Sequence, residues 1–347
     1  MANYTTIKAE ENREKCEKLI ELEISSDEIG KYRAKALRRM AEQVDLPGFR
    51  KGHVPEKIIV EKMGEVSVLE EAINSWLKEA VPEILQKDAP EAIALPRVEV
   101  TKAVPGNPVN LALKIPLRPK LVLPDYKELA KENNRKKEQP KSVTEKEIDE
   151  AILRLRQYAA RAVNPENKEE LKEEELPPLN DQFAEAVGGG KTVADLKERI
   201  RKDLAAENEI KAKEKNRLAI IDAILKKTDG NLPDVLIEHE IDKMEAEFES
   251  DVERMGLKVG DYLKQAKKTR EDLLRDWRPT AEKRSKVNLI LAEIKQKEKI
   301  TPDPKEVEHE TEHILEHHKD AKKENVEAYV ERMLSNQKTF EWLESQG

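Results

Sequence analysis

Gly48-Phe49-Arg50-Lys51-Gly52-His53-Val54-Pro55 is a glycine-bracketed loop set between two helical patterns. Gly48 and Gly52 permit backbone angles that a Cβ would forbid, and Pro47 and Pro55 restrict the flanking chain. The stretch therefore reads as a preorganised tip that projects Phe49, Arg50 and Lys51 together. An aromatic ring at a loop tip costs solubility unless a partner covers it. The spacing alone equally allows an ordinary connection whose Phe tucks back into the core.

Working outward from the loop, Leu19 to Ser25 alternates, with Ile20, Leu22 and Ile24 on one face and Glu21 and Glu23 on the other, which predicts a half-buried strand. The single cysteine, Cys16, is placed in this strand region as a small core residue. Ser25 and Glu28 form a capping-box pattern that opens a helix through about Val44. After the loop come a short helix, Glu56 to Lys62, and a longer one from Ser67 that carries Leu69, Ile73, Trp76, Leu77, Ala80 and Ile84 at helical spacing. Strands are predicted over Arg97 to Lys102 and Val109 to Leu117. One strand, then helices, then strands predicts an α+β domain ending near Pro119.

Composition fits a helical remainder. Of 347 residues, 39% are charged and only 4% aromatic, with mean hydropathy -0.79, a profile of solvated helices rather than a β-rich fold. The net charge of -8 argues against a general nucleic-acid binder, yet residues 28–63 hold nine Lys/Arg against five acids. Such asymmetry lets one surface approach a phosphate-rich partner while the rest stays acidic. No apolar run resembles a signal peptide or a membrane span, and one cysteine excludes an internal disulfide and a thiolate metal cluster, so a cytoplasmic protein without membrane contact is expected.

Pro116, Pro119 and Pro124 interrupt regular structure, and Glu128 to Lys141 is too polar to bury anything by itself. Thr144 and Glu147 cap a helix carrying Ile148, Ile152, Leu155 and Ala159, which ends before Asn164-Pro165. A mostly charged segment follows, Asn164 to Glu175. From Leu176 onward every periodic stretch reads as helix, and with no fixed repeat period an irregular bundle is expected over a solenoid.

The string G-F-R-x-G-x-x-P at residues 48–55 resembles the signature of trigger factor, the bacterial chaperone family that docks at the ribosomal exit tunnel. Leu176 to Ala184, Asn231-Leu232-Pro233, Gly256-Leu257 with Asp261-Tyr262-Leu263, and Arg278 to Glu282 resemble further landmarks of that family. The resemblance implies a ribosome-docking α+β domain over 1–119, a linker with the first helix of the helical body over 120–175, and a large, elongated, irregular all-α chaperone domain over 176–347. It assigns docking to Phe49, Arg50 and Lys51, with Gly48, Gly52 and Pro55 shaping the loop. The expected partners are the large ribosomal subunit near the tunnel exit, both protein and rRNA, and nascent or unfolded polypeptides, with a homodimer as a second state off the ribosome. One departure is large. The family normally carries an immunophilin-type prolyl isomerase domain before the proline-rich segment, and here only the twelve residues Asn164 to Glu175 occupy the gap, too few for a domain. A chaperone without isomerase activity, and with no cofactor, is therefore expected.

Two motifs carry competing readings. His309-Glu310-Thr311-Glu312-His313 matches H-E-x-x-H, the helix of zinc hydrolases. Catalytic zinc needs a third protein ligand and a dry cleft, whereas Glu308, Glu316, His317, His318 and Lys319 make this helix wet and charged; no metal site is expected, with His309 and His313 the weak candidates. Met244, Phe248, Met255, Met333 and Phe340 read either as a client-holding surface, since thioethers repack against varied partners, or as helix core. The reading adopted is an ATP-independent holdase; a zinc-dependent hydrolase and a ribosome-independent helical scaffold are the alternatives.

Overall fold

The computed structural model describes residues 3–44, 49–50, 52–163 and 176–347. Gly48, Lys51 and the segment 164–175 thus lie outside the described residues. Two compact units, each assembled from separated stretches of chain, comprise Met1–Val122 with Thr228–Ile290, and Leu123–Lys227 with Leu291–Gly347.

The first unit is built on a four-stranded antiparallel sheet of β1 (Thr5–Asn12), β2 (Glu17–Ile24), β3 (Arg97–Lys102) and β4 (Val109–Pro116), in the order β1-β2-β4-β3. Period-two alternation sends Ile20, Leu22 and Ile24 of β2 and Val109, Leu111, Leu113 and Ile115 of β4 to one face. Two helices cover that face: α1 (Ser26–Gln43) supplies Ile29 and Ala36, and α2 (Glu56–Asp88) supplies Leu69, Ala72, Ile73, Trp76, Ala80 and Ile84. Ser25 caps α1 by accepting the Glu28 N–H, as its spacing predicted. Trp76 is fully buried, with the Tyr4 ring edge-on at 6.1 Å.

Two expectations are corrected here. Strand β1 was unrecognised, because all eight of its residues are exposed and no apolar alternation marks it; polar edge strands are how sheets avoid pairing with other chains. Cys16 is not in a strand but in the turn between β1 and β2, at φ 48°, where its thiol donates to the Asn231 carbonyl at 3.2 Å. The two helices expected after the loop are both present: they run on from each other as α2 and are separated where Gly64 takes the non-helical angles φ 83° and ψ 151°.

The helical stretch of this unit contains α7 (Asp234–Arg254), α8 (Val259–Ala266) and the start of α9 (Arg270–Glu298). Leu232, Ile237, Ile241, Met244 and Ala281 form its core. It is tied to the sheet region by the Asn231 amide donating to the Glu14 carbonyl at 3.0 Å, by Arg97 paired with Glu238 at 2.6 Å, and by reciprocal backbone bonds between Val122 and Asp229.

The second unit contains α3 (Tyr126–Arg135), α4 (Glu145–Val163), α5 (Asp181–Ala186), α6 (Val193–Lys227), the end of α9, α10 (Pro304–His317) and α11 (Lys323–Glu344). Ile148 and Ile152 of α4 pack with Phe183, Ala184, Leu196 and Ile200, and Val307, Val326, Val330 and Leu334 join α10 to α11. Short α3 is locked by side chains: Tyr126 donates to Glu298 at 2.6 Å, and the Asn134 amide caps α11 by donating to the Leu343 and Gln346 carbonyls at 2.9 and 2.6 Å. The architecture is α+β at the N-terminus and helical through the rest.

Candidate ribosome-docking site

The loop after α1 rests on a small core of its own, separate from the sheet core. Leu37, Met40 and Ala41 of α1 meet Val54, Ile59 and Val68 there. The Gly52 N–H donates to the Ala41 carbonyl at 2.8 Å, and the His53 N–H donates to the Arg50 carbonyl at 3.0 Å. Gly52 makes this turn at φ 79°, a conformation that L side chains rarely adopt. With both ends anchored, Phe49 stands 40% exposed and Arg50 is exposed beside it. The ring does not return to the core.

Electrostatics around the tip differ from what the count of Lys and Arg implied. Most cations of α1 are occupied by carboxylates: Lys31 pairs with Glu28 at 2.6 Å, Arg33 with Glu65 at 2.9 Å, Arg39 with Glu71 at 3.3 Å, and Lys35 with Glu79. Hydrogen bonds from Lys35 and then Tyr32 lower the Glu79 pKa, and burial followed by the bond to Glu79 pushes the Tyr32 phenol up to about 12. Arg38, Arg50, Lys57 and Lys62 are exposed and make no ion pair with any described residue. Lys57 and Lys62 lie on the segment of α2 before the Gly64 kink, which also carries buried Ile59 and exposed Met63. Glu56 and Glu61 alternate with them, so the cations act as separate point charges rather than a uniform field. Sequence counting could not distinguish free from spent cations, because three of the four pairs cross from α1 to α2.

The five apolar candidates divide between the units, Met244, Phe248 and Met255 in the first and Met333 and Phe340 in the second. Met244 is buried in the helix core, so it holds helices together rather than offering a surface. Phe248 is half-buried, with Tyr262 and Trp277 edge-on at 5.3 and 5.5 Å. Phe340 lies under the Arg217 guanidinium, 5.5 Å from its ring centre. Met255 and Met333 remain open, at 60% and 38% exposure. Tyr158, which the helical stripe did not single out, is 76% exposed on the rim of a groove between α4 and α6 floored by Ala151, Leu155 and Leu204. His309 and His313 are exposed on α10, and among the described residues no group of three or more His, Cys, Asp or Glu is arranged to hold a metal ion.

Family models described as "Bacterial trigger factor protein (TF)" and "Bacterial trigger factor protein (TF) C-terminus" match residues 5–155 and 192–343. The chain belongs to the trigger factor family. Trigger factors of Moorella thermoacetica and Streptococcus pneumoniae are each 25% identical, over 387 and 386 residues, covering 88% of this chain and 86% and 90% of theirs. Those matches are longer than the 347 residues present here, so both relatives carry positions that this chain skips. A solved structure described as "Promiscuous Substrate Recognition in Folding and Assembly Activities of the Trigger Factor Chaperone" shares the fold at TM-score 0.52 and 17% identity, covering 97% of this chain and 99% of that one. No described helix is long and apolar enough to cross a membrane.

Proposed function

We propose that this trigger factor is an ATP-independent chaperone that docks on the large ribosomal subunit near the tunnel exit and shelters nascent polypeptides in the cytoplasm. The observation that carries the docking assignment is the exposed Phe49 beside Arg50, which makes no ion pair with any described residue, on a turn whose base is fixed by the Gly52–Ala41 hydrogen bond and the buried Val54 and Ile59. Lys51 acts with them, and residues 1–119 form the docking domain. The ring fits an apolar patch of ribosomal protein, and the free cations fit rRNA phosphates, which position a partner without reading its sequence.

Residues 176–347 hold clients, with 120–175 as linker and first helix. Exposed apolar side chains such as Met255 and Met333, each within its own unit, make weak contacts that exchange quickly. Many such contacts raise the effective concentration of holding sites around a client without nucleotide chemistry. The chain has no isomerase activity of its own: the two family matches leave only residues 156–191 between them, too few for a folded domain with a ligand pocket.

Co-sedimentation with ribosomes tests the docking assignment. The Phe49→Ala, Arg50→Ala, Lys51→Ala triple variant is expected to stay in the supernatant with an unchanged helical spectrum; pelleting at wild-type affinity would refute the assignment.

A further inference from the structure

The H-E-x-x-H match joins His309 to His313, but the structure brings together a different pair on the same helix. The ring centres of His313 and His317 lie 5.2 Å apart with planes inclined at 79°. His309 instead turns its Nδ1 toward Glu310, 3.5 Å from Oε1. Both members of the closer pair are exposed, one helical turn apart in the last turns of α10.

That separation has a chemical meaning. A divalent transition metal bound about 2.05 Å from one nitrogen of each imidazole lies roughly 3.2 Å from each ring centre, and tetrahedral coordination of about 109° then sets the two centres about 5.2 Å apart. The centre-to-centre separation is thus that of a chelate, which the edge-on rings reach by rotating their side chains until both planes contain the metal. Two further features of the fold favour a cation here. His317 is the last residue of α10, where unsatisfied carbonyls carry partial negative charge. Glu310 and Glu316 flank His313 at i−3 and i+3, on the same side of the helix.

We propose that His313 and His317 chelate one divalent transition metal ion of the zinc, nickel or copper class, for which imidazole is a suitable ligand. The protein supplies two ligands and water the rest, since no third protein ligand is in place among the described residues. The site is therefore a surface chelate that ties down the last turn of α10 before the connection to α11. It is not a catalytic centre, and it does not use the H-E-x-x-H pairing.

Isothermal titration of zinc chloride into the full chain, free of any histidine tag and in a non-chelating buffer, tests this. One equivalent is expected to bind the wild type. His313→Ala and His317→Ala should each weaken that binding at least tenfold, whereas His309→Ala should change it less than twofold. The exposed side chains make all three variants expected to fold, and their helical spectra check it. Absence of saturable zinc uptake would overturn the proposal, as would wild-type affinity in His317→Ala. Equal loss in His309→Ala would overturn it too, by returning the metal to the H-E-x-x-H pair.

Discussion

Salt dependence of ribosome binding discriminates between free and spent cations. Each phosphate neutralised contributes about −0.9 to the slope of log affinity against log salt, as measured for duplex. If Arg38, Arg50, Lys57 and Lys62 each meet one phosphate, their summed slope is roughly −3.6, and affinity falls about 150-fold between 50 and 200 mM salt. Lys57→Ala or Lys62→Ala should reduce that fall to about 40-fold, the value for three contacts. Arg33→Ala and Lys35→Ala should leave the slope unchanged, because Glu65 and Glu79 already hold those charges. Fluorescence anisotropy of singly labelled protein titrated with ribosomes across that range reads the slope directly. The reasoning is refuted if the α1 variants change the slope as much as the Lys57 and Lys62 variants do.

Other expectations concern the loop base, the kink and the alkaline limb of stability. Ile59→Ala empties a 1% exposed site beneath the loop and should cost about 2–4 kcal/mol in urea denaturation, with ribosome affinity falling alongside. Gly64→Ala forces a Cβ into backbone angles open almost only to glycine and should destabilise by about 1–3 kcal/mol. By contrast Gly30→Ala, inside α1 with nothing within 4 Å of the new Cβ, should stabilise by about 0.5–1 kcal/mol; thermal midpoints of the two variants should move in opposite directions. Burial, then the hydrogen bond to Glu298, raises the Tyr126 phenol from 10.0 to about 12. The folded pKa lies above the unfolded one, so this contribution is complete below pH 10 and lost as pH rises from 10 toward 12. Denaturation midpoints of Tyr126→Phe should therefore decline less than the wild type across that window.

The strands with buried faces and the capped helices were legible because local pattern and tertiary role agree there. Ile20, Leu22 and Ile24 alternate since one face of β2 is buried, and Ser25 announces α1 through its own hydrogen bond. Strand β1 was hidden because it buries nothing, and Cys16 was misplaced because it sits in the left-handed turn before β2, its thiol bonded to the carbonyl of Asn231, 215 residues away. The assembly of the first unit from Met1–Val122 and Thr228–Ile290 rests on such distant pairs, Arg97 with Glu238 among them, and no local signal encodes them. At the candidate site, the exposure of Phe49 and Arg50 was legible from the glycine bracket, while the lack of an ion pair with any described residue at Lys57 and Lys62 was not. Their relevance appears only once Lys31, Arg33, Lys35 and Arg39 are seen to be neutralised.

Site-specific photo-crosslinking tests the docking claim most directly. A benzophenone side chain placed at position 49 in the full chain, bound to ribosomes and irradiated, should link to components of the large subunit at the tunnel exit. The same probe at Leu95, which is 75% exposed on the same unit, should give no such product. Equal labelling from both positions, or none from position 49, would contradict the account.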